Sequence, residues 1–217
     1  MIGAPPGLRR VVIMRHAETV ANAARLWQGH QDTELSEAGR SQVVAAAPHL
    51  AAYQPALLVS SDLQRAASTA DPIAEITGLE VRLDARFREI DVGEWQGMHA
   101  DEVRAKYADV IAALDRGEDV RKGRTGETRA DVATRVAAAL KDVLRELMAG
   151  EAAVIVAHGA SGKLAATELV GLDLDQADRV FRGIDNCHWI ELVEDRSRFS
   201  GRARWRIAGW NLGPWDV

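Results

Sequence analysis

Two short runs constrain this chain more than anything else in it. Val11-Val12-Ile13-Met14 and Ala153-Val154-Ile155-Val156-Ala157 are apolar at every position and rich in β-branched residues. A strand that is apolar on both faces fits the interior of a parallel sheet covered by helices on each side. Both runs stop abruptly at polar residues: Arg15-His16 after the first, His158-Gly159 after the second. Strand carboxyl ends share one edge of a parallel sheet, and open α/β sheets bind ligands along that edge. Side chains far apart in sequence are therefore expected to meet at one site.

The intervening sequence supplies the helices such a sheet needs. Strands are expected at 10–14, 56–59, 81–83 and 153–157, with helices over 37–52, 63–77, 99–116, 128–149, 161–170 and 174–181. Ser36 is placed to cap the first of these helices, Ser60-Ser61-Asp62 to cap the second, and Gly78 to close the second. Val132, Val136, Leu140, Val143 and Leu147 recur at helical spacing. Residues 117–127 read as a surface loop, and 187–193 with 202–208 as an antiparallel edge pair. The pattern predicts an α/β fold, a three-layer α/β/α sandwich with a mostly parallel central sheet. It predicts a single domain over 1–217, with a Gly- and Pro-bearing flexible arm at 1–9.

Composition narrows the partners. The formal net charge of −5 argues against nucleic acid or an acidic membrane surface as ligand. No uncharged apolar run approaches the roughly 20 residues of a membrane span. One cysteine, Cys187, allows no intrachain disulfide, and the opening residues lack the apolar core of a secretory signal; a cytoplasmic location is expected. Neither HExxH nor paired CxxC spacing occurs, so neither metal nor cofactor is expected. The two late β segments suggest a homodimer.

At the shared sheet edge the chain would gather His16, His158, Arg15 and Arg65, the last on the first turn of the helix after ALLV. Two arginines and a helix N-terminus make an anion site, and arginine suits bidentate capture of phosphate oxygens. Imidazole is partly neutral near pH 7 and is a competent nucleophile toward phosphorus. Glu89 is the best-placed proton donor for a leaving oxygen. It could instead pair with Arg86 or Arg88, and Glu94 is the neighbouring alternative. Ser161 reads as a helix cap or a pocket residue, Lys163 as a surface residue. His30, His49, His99 and His188 read as structural or surface residues, though His99 follows the acid loop.

Five segments in order, RHAETVAN, WQGHQDTELSEAGRSQ, SSDLQRAASTA, FREIDVGEWQG and VAHGASGK, resemble the motifs of the histidine phosphatase superfamily across residues 10–210. The resemblance implies a phosphoglycerate mutase-like fold and a metal-free reaction. In it His16 becomes a phosphohistidine, Arg15, Arg65 and His158 hold phosphoryl oxygens, and Glu89 protonates the leaving group. It extends the substrate contacts to Asn22, Gln28, Gly29 and the backbone N–H of Gly159. Ala17 departs from the family's usual glycine beside the nucleophile; an ordinary φ is expected there, because a methyl group is strained only at positive φ.

The family holds both phosphatases and cofactor-dependent phosphoglycerate mutases. The segment 98–127 is short and lacks the mutase insert, which favours hydrolysis of a small phosphorylated metabolite with the mutase as alternative. The endings NCHWIEL and RWRIAGWN resemble actinobacterial phosphatases of the family, implying a sugar phosphate or phosphoglycerate ester. Trp189, Trp205 and Trp210 read either as sugar-stacking or as packing residues. A scaffold that has lost catalysis would lack at least one of His16, Arg65, Glu89 and His158; all four are present.

Overall fold

The computed structural model describes residues 7–195 and 204–214. One sheet holds β1 (Arg10–Arg15), β2 (Leu57–Ser60), β3 (Val81–Leu83), β4 (Ala152–Ala157), β5 (Trp189–Asp195) and β6 (Arg204–Leu212). Its order is β3-β2-β4-β1-β5-β6. The first four in that order run parallel; β5 lies antiparallel to β1, and β6 antiparallel to β5. The helices among the described residues are α1 (Val20–Ala23), α2 (Glu37–Ala51), α3 (Gln64–Thr77), α4 (Ala100–Lys106), α5 (Ala108–Asp115), α6 (Arg129–Glu146), α7 (Gly159–Val170) and α8 (Leu174–Val180).

Strand alternation sorts the core into two layers. Val11, Ile13, Ala153 and Ile155 face a cluster containing Val132, Val136, Leu140 and Val143 of α6 and Leu164 of α7. Val12, Met14, Val154 and Val156 face α2 and α3 through Val43, Leu50, Ala66, Ala70 and Ile73. Every residue of β4 is buried, as its composition requires. Each Val or Ile withdrawn fully from water contributes about 1.5–3 kcal/mol, so the two central strands carry much of the fold's stability.

The local signals place most boundaries, and the exceptions have physical causes. Ser36 caps α2 by accepting from Gly39 N at 2.9 Å, and Gly78 ends α3 at φ 71. The cap of α3 comes from elsewhere: Gln64 N donates to Asp32 Oδ1 at 2.8 Å, while Asp62 is occupied by Arg88. The single helix expected at 99–116 is broken at Tyr107, φ −124 and ψ 41. Its buried ring packs edge-on to Trp95, and its hydroxyl donates to Glu94 Oε2 at 2.9 Å. α6 stops at Glu146 because Leu147 turns extended and is buried. β6 runs on to Leu212, beyond the expected 208; positions 202 and 203 lie outside the described residues. Of the expected arm, 1–6 also lies outside them. Arg9 is fastened, with Nη2 on Glu194 Oε1 at 2.7 Å and Nη1 on the Leu144 carbonyl at 2.9 Å.

Candidate active site

The register of the two central strands builds the centre of the site. Arg15 pairs with Ala157 across β1 and β4, so His16 and His158 leave the sheet side by side. Their rings stand edge-on with centroids 5.0 Å apart. His16 Nδ1 lies 2.7 Å from the Ala17 carbonyl, which only accepts. The proton therefore sits on Nδ1, and Nε2 keeps its lone pair. Burial, then Arg65 and Arg15, hold the His16 pKa well below the usual histidine value. The ring is neutral, the form a nucleophile requires. Ala17 has no left-handed backbone, as expected, and its N–H donates to Thr69 Oγ1 at 3.0 Å.

Arg65, on the first turn of α3, is 1 % exposed. It donates from Nε to His158 Nδ1 (3.2 Å), from Nη1 to the Gln31 carbonyl (2.9 Å) and from Nη2 to the Gly29 carbonyl (2.8 Å). Burial lowers its pKa, with Glu89 opposing; arginine's high starting value keeps it charged. Gly29 is needed where it stands: its φ is +53, and a Cβ would lie 2.7 Å from Val92 Cγ2. Arg15 donates from Nη1 to the Ile184 carbonyl at 2.7 Å, while its buried Nε has no partner. An unpaired N–H beside a second guanidinium suits an anionic oxygen.

Glu89 stands in the same cavity as His16, Arg15 and Arg65, with Gly159 against both its carboxylate and Arg15. Its Oε1 accepts from Ile90 N at 2.9 Å and from Ala160 N and Ser161 N at 3.1 Å each. A carboxylate on the first turn of α7 has the favourable end of the helix dipole. Arg86 and Arg88 do not compete for it; they bind Asp84 with Asp142, and Asp62. Glu94 is engaged by Tyr107.

Arg15, His16, Asn22, Gln28, Gly29, Arg65 and Glu89 line one cavity of about 340 Å³. Gln28 Oε1 accepts from Thr33 Oγ1 at 2.5 Å, which leaves its amide NH2 for the cavity. His158 and Gly159 stand behind the wall. His158 accepts from Arg65 at Nδ1, and its Nε2 faces Ser61 Oγ at 2.8 Å, so both ring nitrogens are engaged within the protein. Gly159 lies against Glu89 and Arg15.

Sequence reasoning missed several contributors. Asn186 donates Nδ2 to the His16 carbonyl at 2.9 Å and approaches Asn22 Oδ1 at 3.4 Å. Arg25, Leu26, Trp27, Val92 and Ala100 form the outer wall. The WQG triplet was the available signal for Trp27; Asn186, in a loop without period, offered none. The tryptophans weighed for stacking line no part of the cavity. Trp189 is buried and donates to Tyr53 Oη at 3.1 Å, Trp205 lies under Arg9, and Trp210 stacks on Phe181 at 4.2 Å. Lys163 binds the Phe181 carbonyl and Asp178. Ser161 donates its hydroxyl to the Phe87 carbonyl instead of capping α7. Among the described residues no group of three or more His, Cys, Asp or Glu could hold a metal ion, and no helix is long and apolar enough to cross a membrane.

His16 and His158 also set an acid limit on the fold. Both pKa values are lowered, chiefly by burial. Below the ordinary value of about 6.5 the unfolded chain therefore binds protons that the folded chain refuses. Their contribution to stability is complete above that pH and is lost as pH falls through the folded values. The melting temperature should drop as pH falls below about 6.5. His158→Gln, which removes one such group, should flatten that slope; an unchanged slope would mean that other groups set it.

Comparison with known proteins places the chain in a family. The family model described as histidine phosphatase superfamily (branch 1) matches residues 11–211. A glucosyl-3-phosphoglycerate phosphatase of Mycolicibacterium vanbaalenii is 39% identical over 217 residues, covering 94% of this chain and 95% of that protein. A probable phosphoglycerate mutase of an Enterobacter species is 30% identical, covering 93% and 89%. The solved structure of a mycobacterial glucosyl-3-phosphoglycerate phosphatase in complex with VO3 superposes with a TM-score of 0.83 at 36% identity, covering 94% and 98%. The chain belongs to the histidine phosphatase superfamily.

Proposed function

We propose that this protein hydrolyses a phosphate monoester whose alcohol carries a carboxylate and a sugar ring, the kind of ester named in its glucosyl-3-phosphoglycerate phosphatase relatives. The observation that carries the reading is the buried His16, its Nδ1 held on the Ala17 carbonyl, in one cavity with Arg15, Arg65 and Glu89. Nε2 attacks phosphorus, a P–N bond forms as the P–O bond breaks, and Glu89 gives its proton to the leaving oxygen. Water then attacks phosphorus and gives a proton to Glu89 as the P–N bond breaks. Arg15 and Arg65 hold the phosphoryl oxygens and offset their charge. Asn22, Gln28 and the Gly29 segment complete the cradle. His158 was expected to hold oxygens itself; with both ring nitrogens engaged, its part is to fix Arg65. Gly159 backs Arg15 and Glu89.

The outer wall suits the rest of such an ester. Leu26, Trp27, Val92 and Ala100 offer apolar surface, with the partly exposed Trp27 ring available to a sugar face. Arg25, exposed and without an ion-pair partner among the described residues, is placed for a carboxylate. The cytoplasm suits a buried, unpaired Cys187, and β6, the last strand of the sheet among the described residues, suits a homodimer.

Phosphate release in the presence of chelator tests the reading. Glucosyl-3-phosphoglycerate should exceed glucose 6-phosphate in kcat/KM by about tenfold or more. Arg25→Ala should narrow that margin while leaving aryl phosphate hydrolysis unchanged. Equal rates on all esters would remove the substrate assignment. Phosphoryl exchange between phosphoglycerates that requires 2,3-bisphosphoglycerate would favour the mutase.

A further inference from the structure

Arg135 lies on α6, outside the cavity, and touches none of the groups assigned to the reaction except the main chain of Glu89. Its guanidinium gives Nε and Nη2 to the two oxygens of Glu127 at 2.9 and 2.8 Å. It gives Nη1 to the carbonyls of Arg86 and Arg88 at 2.8 and 2.6 Å, and Nη2 to the Glu89 carbonyl at 2.9 Å. An arginine has five N–H donors, and all five are committed, three to carbonyls of the acid loop and two to Glu127. Glu127 in turn accepts from Asp91 N at 2.9 Å, and its own N–H donates to the Asp91 carbonyl at 2.9 Å. The ring of His30 adds Nε2 to the Glu89 carbonyl at 2.7 Å.

The arrangement answers a specific need. After Phe87 the chain passes through Arg88–Val92 without helix or strand, so its carbonyls have no ladder to satisfy them. Arg135 supplies two of those partners from a rigid helix, to the residue before the acid and to the acid itself, and a third to Arg86 just upstream. Glu89 is thus held at both ends: its carboxylate by the first N–H groups of α7, its main chain by α6 and His30.

We propose that Arg135, locked by Glu127, is a positioning residue for the acid step. It sets the height of Glu89 over the leaving oxygen without touching substrate. A glutamate side chain cannot compensate for a main-chain shift while its carboxylate stays on α7, and a displacement of about 1 Å at a reacting group costs about a hundredfold in rate. Lysine cannot replace it, since one ammonium does not reach three carbonyls and a carboxylate together.

The inference rests on Glu89 being the acid, and the test separates the two. kcat/KM, which reports bond breaking at phosphorus in the first transfer, is measured for an alkyl phosphate and for 2,4-dinitrophenyl phosphate, whose leaving group needs no proton. Arg135→Met should lower the alkyl value about a hundredfold and the dinitrophenyl value less than about threefold. A loss shared equally by both substrates, or no loss, overturns the proposal and leaves Arg135 as a brace of the fold. Should Arg135→Met not accumulate folded, Glu127→Gln keeps the shape, weakens the clamp and should give the same split at about tenfold. Glu89→Gln is the reference. If it shows no split, the acid assignment itself fails; if it does and neither clamp variant follows, only the positioning role fails.

Discussion

His16→Ala is expected to abolish phosphate release, with kcat falling on the order of 10⁵- to 10⁶-fold, to the level left by binding alone. Nothing else in the cavity can take the role. His158 is the imidazole beside it, and both its nitrogens are already engaged; His30 is held on the Glu89 carbonyl. The variant should stay folded, because the ring is neutral and its loss removes one local bond to the Ala17 carbonyl. Stability should fall by about 1–3 kcal/mol for the bond and the space left behind. Two measurements decide it: phosphate release against the wild type, and capture of a phosphoryl group on the protein in an alkaline quench. Release at the wild-type rate would end the phosphohistidine mechanism.

Arg65→Met is expected to lower kcat/KM by about a thousandfold, through lost charge stabilisation of the phosphoryl group in transit. Its effect on stability is a contest between two quantities. The change removes a buried charge, which is favourable, but strips the Gly29 carbonyl and the buried His158 Nδ1 of their donor, which costs about 1–3 kcal/mol each. Gln31 is exposed, and water can replace the bond lost there. The loss of the buried charge offsets part of that cost, so a folded but less stable variant is expected. A second signature is directional. Arg65 is a cause of the low pKa of both His16 and His158, so removing it raises both. Residual activity should fail at a higher pH on the acid side than in the wild type. A variant with intact kcat/KM would exclude Arg65 from the phosphoryl site.

Much of the arrangement was legible because burial on two faces leaves a mark on composition. VVIM and AVIVA admit few other placements, and from them the meeting of His16 with His158 follows by register. Caps whose partner lies within a few residues, such as Ser36, were equally readable. What escaped depends on contacts distant in sequence. Asp32 caps α3 from another loop, which freed Ser61 to face His158 and Asp62 to bind Arg88. The break at Tyr107 follows from a ring buried against Trp95, and a local pattern carries no trace of Trp95. In sequence Arg135 is one more polar position on an amphipathic helix. Its five donors acquire meaning only once the acid loop is folded over them.

The strand order has a consequence for synthesis. β1 lies between β4 and β5, and both come far later in the chain. As the chain leaves the ribosome, a strand apolar from Val11 to Met14 has neither of its final partners until most of the protein has been made. The strand that carries the nucleophile is thus the nascent chain's chief exposure to misassociation.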